Sequence, residues 1–376
     1  MRRRLRLARF AAVSTSFAIA ACGWRAPVPS YVSHDAAFGF LAEPYIGSAE
    51  PPSKDDICES WMTSVVERDP LAVTHTSFPE SDPIASCFVP VRFHGDDDAR
   101  ATTDAPRGCA FPDADQRIAL AQLAAALDRI ATDAHAPNPY FSCGLSRDVV
   151  TAVARHDARV LRALIARDSV APYAAVIVPG HGLAAQDASP LLHYGPADPN
   201  ACVALSGPTF GALGGMIQRT RRAAALIHGG VAPIAIVSGG AVHSRLIEAF
   251  AMMHLLTCPR PDVAFDPVAA DRVLLEPCAD HTHTNLRDSG RLLAKMKARA
   301  GFIVTDDHFQ ADYFEDQTGL ELISGSIDQR SLRDFGYLVG AWRRASIGND
   351  AGFWFTPYRF WAEPRDGLGS LSCDDR

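Results

Sequence analysis

Between Tyr173 and Asp307 four short apolar runs each end in glycine or polar residues, and this alternation constrains the fold more than any other feature of the chain. The runs are "YAAVIVPG", "IAIVSGG", "RVLLEP" and "GFIVTDD", with helix-length segments between them. A short run that is apolar throughout reads as a strand buried on both faces, and strands alternating with helices imply a parallel sheet covered on both sides. The expected class is α/β, a doubly wound, mainly parallel, Rossmann-like sheet. A fifth run, "LELISGS", follows the fourth.

In such sheets ligands sit beyond the carboxyl ends of the strands. The strand ends here are Pro179-Gly180-His181-Gly182, Ser238-Gly239-Gly240, Glu276-Pro277 and Thr305-Asp306-Asp307-His308. Glycine lets a ligand approach the main chain closely, so a glycine pair between strand and helix suits a binding turn, although the same composition also makes plain tight turns. Four such ends in order point to a single crevice. Ser238 lacks the setting of a nucleophile elbow, because Ile236 stands where Gly-x-Ser-x-Gly needs its first glycine. It is read as a hydroxyl and backbone donor.

The start of the chain carries an address. Arg2, Arg3, Arg4, Arg6 and Arg9 precede a short apolar run from Phe10 to Ala20, the pattern of a signal peptide over residues 1–21. The run is too short to span a bilayer as a mature helix. Ile19-Ala20-Ala21-Cys22 resembles the lipobox of bacterial lipoproteins, in which the cysteine becomes the lipidated N-terminus; an ordinary cleavage site is the alternative. Gly23 in place of aspartate favours the outer membrane. Eight cysteines then remain, at 58, 87, 109, 143, 202, 258, 278 and 373, an even number available for disulfides in an oxidising compartment. The formal net charge of -7 and the lack of a basic stripe exclude a nucleic-acid partner.

Residues 22–170 read as a loop-rich N-terminal region with three helices. One lies near Asp56 to Val66. A second runs from Ala114 to Ala134 on Ile118, Leu123, Leu127 and Ile130, and a third starts at a Ser146 cap and carries Val149, Val153, Leu161, Leu164 and Ile165. No catalytic pattern is visible there. The α/β domain is expected over 171–346, with a C-terminal tail over 347–376.

From 173 to 324 the order of motifs resembles the YdcF-like family (domain of unknown function 218), which includes the ElyC and SanA envelope proteins. "VPGHG" is similar to the family's first turn, Arg219 falls where its helix arginine is expected, and Ser238-Gly239-Gly240 and Glu248-Ala249 match the next two signatures. Glu276 matches the strand-end glutamate, and Thr282-His283-Thr284-Asn285 matches Thr-x-Glu-Asn except that Thr284 replaces the glutamate. Thr305 and His308 match the last motif, but Ala311 stands where arginine is expected. These two departures remove a carboxylate and a cation from the site that the resemblance implies.

Each candidate has a bland alternative. Arg219 either turns inward to hold phosphate or carboxylate or belongs, with Arg221 and Arg222, to a solvated face. Glu248 is read four residues into a helix capped by Ser244, where a first-turn glutamate is ordinarily solvated; the match gives it a site role. Glu276 is a general base or a partner for a sugar hydroxyl, with His308 beside it as the second catalytic candidate; capping a nearby helix is the competing role of Glu276. Thr282 looks like an N-cap with Asn285 near the capping-box position. His281, His283, Asp306, Asp307 and His308 could ligate zinc or manganese, yet no motif of defined metal spacing appears. His243 is as well explained as a loop residue.

The expectation is a lipid-anchored envelope protein whose α/β domain binds a phosphate- or nucleotide-like ligand, with a role in envelope or peptidoglycan maintenance implied by the resemblance. The alternatives are a non-catalytic binding or scaffolding lipoprotein and a metal-dependent hydrolase. The sequence assigns no cofactor and no protein partner.

Overall fold

The computed structural model describes residues 87, 91–94, 100–103, 110–136, 138, 141, 143, 145–167, 169–180, 214–241, 247–258, 266–305, 310, 314, 327, 331, 339–345 and 352–357. The expected signal peptide and Cys22, the helix near Asp56, the run 320–326 and residues His181, Gly182, His243, Ser244, Asp306, Asp307, His308 and Ala311 lie outside them. Among the described residues no helix is long and apolar enough to cross a membrane.

Two short antiparallel strands, β1 (Val91–His94) and β2 (Arg100–Thr103), come first. Helices α1 (Ala114–Thr132) and α2 (Arg147–Ala166) follow and pack on each other. A reciprocal capping box starts α1: Gln116 N–H donates to Asp113 Oδ1 at 2.8 Å, and Asp113 N–H donates to Gln116 Oε1 at 2.8 Å. The helix stops at Thr132, two residues short of the expected end. Ser146 caps α2 as its sequence predicts, through Val149 N–H at 3.4 Å. The buried stripe of α2 is Val150, Val153, Ala154, Asp157, Ala158, Leu161 and Leu164, at helical spacing except that one member is an acid.

The α/β part runs β3 (Val176–Pro179), α3 (Gly214–His228), β4 (Ala235–Ser238), α4 (Glu248–Thr257), β5 (Val273–Glu276), α5 (Thr282–Lys295), β6 (Gly301–Val304), β7 (Ala341–Arg344) and β8 (Gly352–Thr356). The six strands form one sheet in the order β5-β4-β3-β6-β8-β7. Its first four strands are parallel, and β8 and β7 join antiparallel. The fold is therefore mixed α/β with a mostly parallel six-stranded sheet. Strands β3 to β6 are buried at every position, which is why their sequences are apolar without alternation. Strand β8 falls in the stretch read as a tail and sits between β6 and β7, with Phe353 and Phe355 fully buried.

From β3 the chain steps outward twice, to β4 and β5, and then returns past β3 to β6. Right-handed crossovers put α3 and α4 on one face and α5 on the other. The contacts agree: α3 and α4 touch each other, whereas α5 touches α1.

Strand β5 ends the sheet on one side, and α2 lies where a further strand would pair. His156 Nε2 is 2.8 Å from Val273 O, and Leu275 N–H donates to Asp157 Oδ1 at 3.0 Å. Two side chains thus satisfy outward backbone groups of the edge. Burial lowers the pKa of His156, so the neutral ring donates Nε2–H to the carbonyl. Burial pushes the Asp157 carboxyl well above its ordinary value, against the Leu275 amide, and Glu276 adds to the rise. A disulfide joins Cys143, just before α2, to Cys278, just after β5. Cys87 and Cys258 are also disulfide-bonded.

Candidate functional site

Parallel register sets Pro179, Ser238 and Glu276 side by side at the carboxyl ends of β3, β4 and β5. Ser238 Oγ lies 2.6 Å from Glu276 Oε2 and 2.9 Å from Asn285 Oδ1 on α5. All three side chains are buried. A hydroxyl has one proton, so it can donate to only one of these two acceptors. With Glu276 protonated both contacts are satisfied, Glu276 donating to Ser238 and Ser238 donating to Asn285.

The surroundings favour that state. Burial, and next the charge of Asp288, raise the Glu276 pKa from 4.5 to about 8, against hydrogen bonds from Ser238 and the amides of Cys278 and Ala279. Those amides lie 2.8 Å from Oε1 and 3.2 Å from Oε2. Glu276 thus accepts from the turn that follows its own strand, whereas the nearby helix has His281 as its N-cap. Asp288 is itself buried between Arg287, at 2.7 Å, and Arg291, at 3.2 Å.

The start of α5 corrects two expectations. His281, and not Thr282, is the N-cap, so the third helical position falls on Thr284 and Asn285 is left to meet Ser238. Thr284 Oγ1 accepts from Asp280 N–H at 2.9 Å and His281 N–H at 2.8 Å. Thr284 thus holds the helix start.

Gly180 and Gly239 face Glu248. A Cβ on Gly180 would stand 1.9 Å from Glu248 Oε2, and one on Gly239 would stand 2.9 Å from Glu248 Cβ. These positions are glycine because the glutamate side chain lies against both turns. Glu248 is the first residue of α4, with Ile247 as N-cap, and not four residues in. It is 3% exposed, which overturns the solvated alternative.

The turn amides are engaged. Gly180 N–H donates to Ser238 O, Gly239 N–H to Glu276 O and Gly240 N–H to Ala279 O, at 2.7, 2.9 and 2.5 Å. Glu248 N–H and Ala249 N–H at the start of α4 donate to Gly240 O and Gly239 O. The glycine turn ties three strands together and does not present a row of open donors.

Arg219 is buried, so the solvated-face alternative fails for it too. Its Nη1 donates to Pro179 O at 2.9 Å and Gly180 O at 2.6 Å, where Gln310 Nε2 also donates at 3.4 Å. One turn on, the equally buried Arg222 donates to Thr305 O at 2.9 Å. Two arginines of α3 therefore fasten the ends of β3 and β6. Sequence reasoning singled out Arg219 and missed Arg222, although their i,i+3 spacing puts both on one helix face.

The structure brings Gly180, Arg219, Ser238, Gly239, Gly240, Glu248, Glu276 and Asn285 to one end of the sheet. Thr305 joins them through Arg222, and Thr282 begins α5 nearby. No family match accompanies this geometry. Comparison with protein-family models, curated proteins and solved structures finds no match.

Of the histidines considered for metal binding, His281 Nδ1 is 3.1 Å from Asp280 Oδ1, and its ring lies 5.6 Å from that of His283. Burial raises the Asp280 carboxyl, but His281 and Thr284 outweigh it and the net shift is downward. Among the described residues no group of three His, Cys, Asp or Glu side chains could hold a metal ion. Sequence reasoning also missed Asp157 and Asp288. For Asp157 the signal was present, as an acid on the apolar stripe of a helix.

Proposed function

We propose that this chain is a lipid-anchored envelope protein whose α/β domain binds a polar, nucleotide-like ligand at the carboxyl ends of β3, β4 and β5 and moves a proton with Glu276. The observation that carries the reading is the buried Glu276 carboxyl, hydrogen-bonded to Ser238, in surroundings where burial and the charge of Asp288 raise its pKa to about 8. A carboxylic acid poised near the working pH can give or take a proton in a reaction that an ordinary glutamate cannot serve. The strand order β5-β4-β3-β6, with its reversal between β3 and β6, supports a doubly wound, Rossmann-like description and a ligand at that edge.

The engaged amides of Gly180, Gly239 and Gly240 refine the ligand. The described strand ends carry the carboxyl and amide side chains of Glu248, Glu276 and Asn285, and a ligand that exchanges one of their present hydrogen bonds meets chemistry that suits the hydroxyls of a sugar or ribose better than its phosphate. The lipid anchor and the envelope role rest on the sequence alone, on "IAAC" and on the resemblance. A second reading, a binding or scaffolding lipoprotein without catalysis, is favoured by one observation: Glu276, Ser238 and Asn285 bond to one another.

A thermal-shift panel of nucleosides, nucleotides, sugars, sugar phosphates and divalent metals tests the binding, because a ligand at a hundred times its Kd stabilises the native state by about 2.7 kcal/mol. Stabilisation by a hydroxyl-bearing compound that Glu276→Gln leaves intact, with turnover lost, supports the catalytic reading. Stabilisation without turnover in the unaltered protein supports the scaffold. Response to metals alone would defeat both. Intact-mass analysis of the membrane fraction tests the anchor, and a protein lacking a lipid on Cys22 would remove it.

A further inference from the structure

The N-terminal layer and the strand-end site are fastened to each other along one line. Cys143 bonds to Cys278, Asp157 accepts from Leu275 N–H, and His156 donates to Val273 O, so α2 and the residues before it grip β5 and its following turn at three points. The covalent point adjoins the acid. Cys278 is two residues after Glu276 and donates its N–H to Glu276 Oε1 at 2.8 Å, while the next residue, Ala279, donates to Oε2 and accepts from Gly240 N–H at 2.5 Å.

We propose that closure of the Cys143–Cys278 disulfide assembles the Glu276 site, so that the protein becomes competent only after export to an oxidising compartment. The two cysteines and Asp157 are positioning residues: none touches the reacting atoms, and each acts through the strand or turn that carries Glu276. In the closing step the Cys143 and Cys278 thiols give up two protons and two electrons to a disulfide oxidant. Their sulfurs bond, and the oxidant leaves as a dithiol. Before closure the turn 277–279 is held by its hydrogen bonds to the carboxyl it is meant to fix and by the Gly240 N–H bond to Ala279 O, with no covalent tie to the N-terminal layer. Afterwards a link across 135 residues pins it to Cys143, just before α2, which removes open arrangements from the ensemble. Both sulfur-bearing residues are buried, so a reductant reaches the closed bond only after a local opening.

This inference deepens the proton-transfer reading and rests on it for its biological meaning, but its test stands apart. The test compares the unaltered protein with Cys143→Ser/Cys278→Ser and with Cys143→Ala/Cys278→Ala, leaving the other disulfides in place. Amide hydrogen exchange is followed at Leu275, Cys278 (or the residue replacing it) and Ala279, with Ile177 and Ile236 as core references. The Glu276 carboxyl is titrated by carbon NMR. Exchange about tenfold faster at the three amides, with unchanged core references, and a Glu276 pKa moved from about 8 toward 4.5 are expected. Unchanged titration and protection would overturn the proposal, as would equal loss of protection at Ile177 and Ile236, which marks a merely structural bond. If both double variants fail to fold, the same amides are read during oxidative refolding of the unaltered chain. Protection at Ala279 that precedes the Cys143–Cys278 bond then refutes the inference. A failed ligand search with these expected shifts would sink only the proton-transfer reading.

Discussion

Ser238 and Glu276 end neighbouring parallel strands in matched register, and the Ser238 hydroxyl lies 2.6 Å from Glu276 Oε2 beneath the surface. A carboxyl in this position is forced to choose between burial and charge. Burial prevails, helped by Asp288, and the group keeps its proton at pH 7.

Stability should therefore fall with rising pH. The folded-state pKa of Glu276, about 8, exceeds the ordinary 4.5, so between those values the native state binds more protons than the unfolded one. Its contribution is fully present below pH 4.5 and is lost as pH rises to about 8, with a slope of up to about 1.4 kcal/mol per pH unit. Urea unfolding across that range should show the decline for the unaltered protein and a flatter profile for Glu276→Gln. A profile that rises through the range would contradict the assignment.

The two glycines should differ in tolerance. Gly180→Ala meets the far end of the Glu248 side chain, whereas Gly239→Ala meets its Cβ, which is fixed to α4. Gly239→Ala is expected to destabilise by about 2–3 kcal/mol and Gly180→Ala by less. Adding Glu248→Ala to Gly180→Ala should recover part of the loss in chemical denaturation. Strict additivity would mean that the close approach is not what excludes a side chain.

Arg219→Ala leaves the carbonyls of Pro179 and Gly180 without their guanidinium donor. A loss of about 1.5–3 kcal/mol is expected from the broken charged hydrogen bonds. Arg222→Ala should weaken the end of β6 by a similar amount, because its contact with Thr305 O is of the same kind. Thermal melts of the two variants check this. Unchanged melting temperatures would return both residues to a minor role.

At the sheet edge, Asp157→Asn keeps an oxygen for Leu275 N–H, whereas Asp157→Leu removes it. The leucine variant should lose about 1–3 kcal/mol and Leu275 its exchange protection, since a buried donor is left unpaired. The asparagine variant should stay near the parent where Asp157 keeps its proton, at the acid end of the range. Because the folded-state pKa of Asp157 is raised, its contribution fades as pH rises, so the asparagine variant should gain on the parent in alkali. Equal behaviour of the two variants at every pH would discard the edge-capping role.

Much of the fold is legible in residues close together in the chain. The all-apolar runs at 176–179, 235–238, 273–276 and 301–304 become strands, and Ser146 caps α2 as its spacing predicts. Strand β8 escaped because "GFWFT" alone gives no helix–strand alternation to place it. At the site the polar strand ends were visible, but not their contacts. The glycines looked like room for a ligand and proved to be room for Glu248.

What the sequence by itself determined is the four parallel strands and the helices before and between them, since burial period, caps and turn residues act over a few positions and leave a local trace. Tertiary structure alone decided that Ser238 would meet Glu276 and Asn285, that Arg222 would hold Thr305, and that Asp157 would stand in for a missing strand at Leu275. The reason is physical: in the last two contacts the partner is a main-chain carbonyl, which every residue carries, or a main-chain N–H, which every residue but proline carries. Which of those identical groups is left unpaired and buried depends on where the sheet ends, and the sheet ends only once the chain has folded.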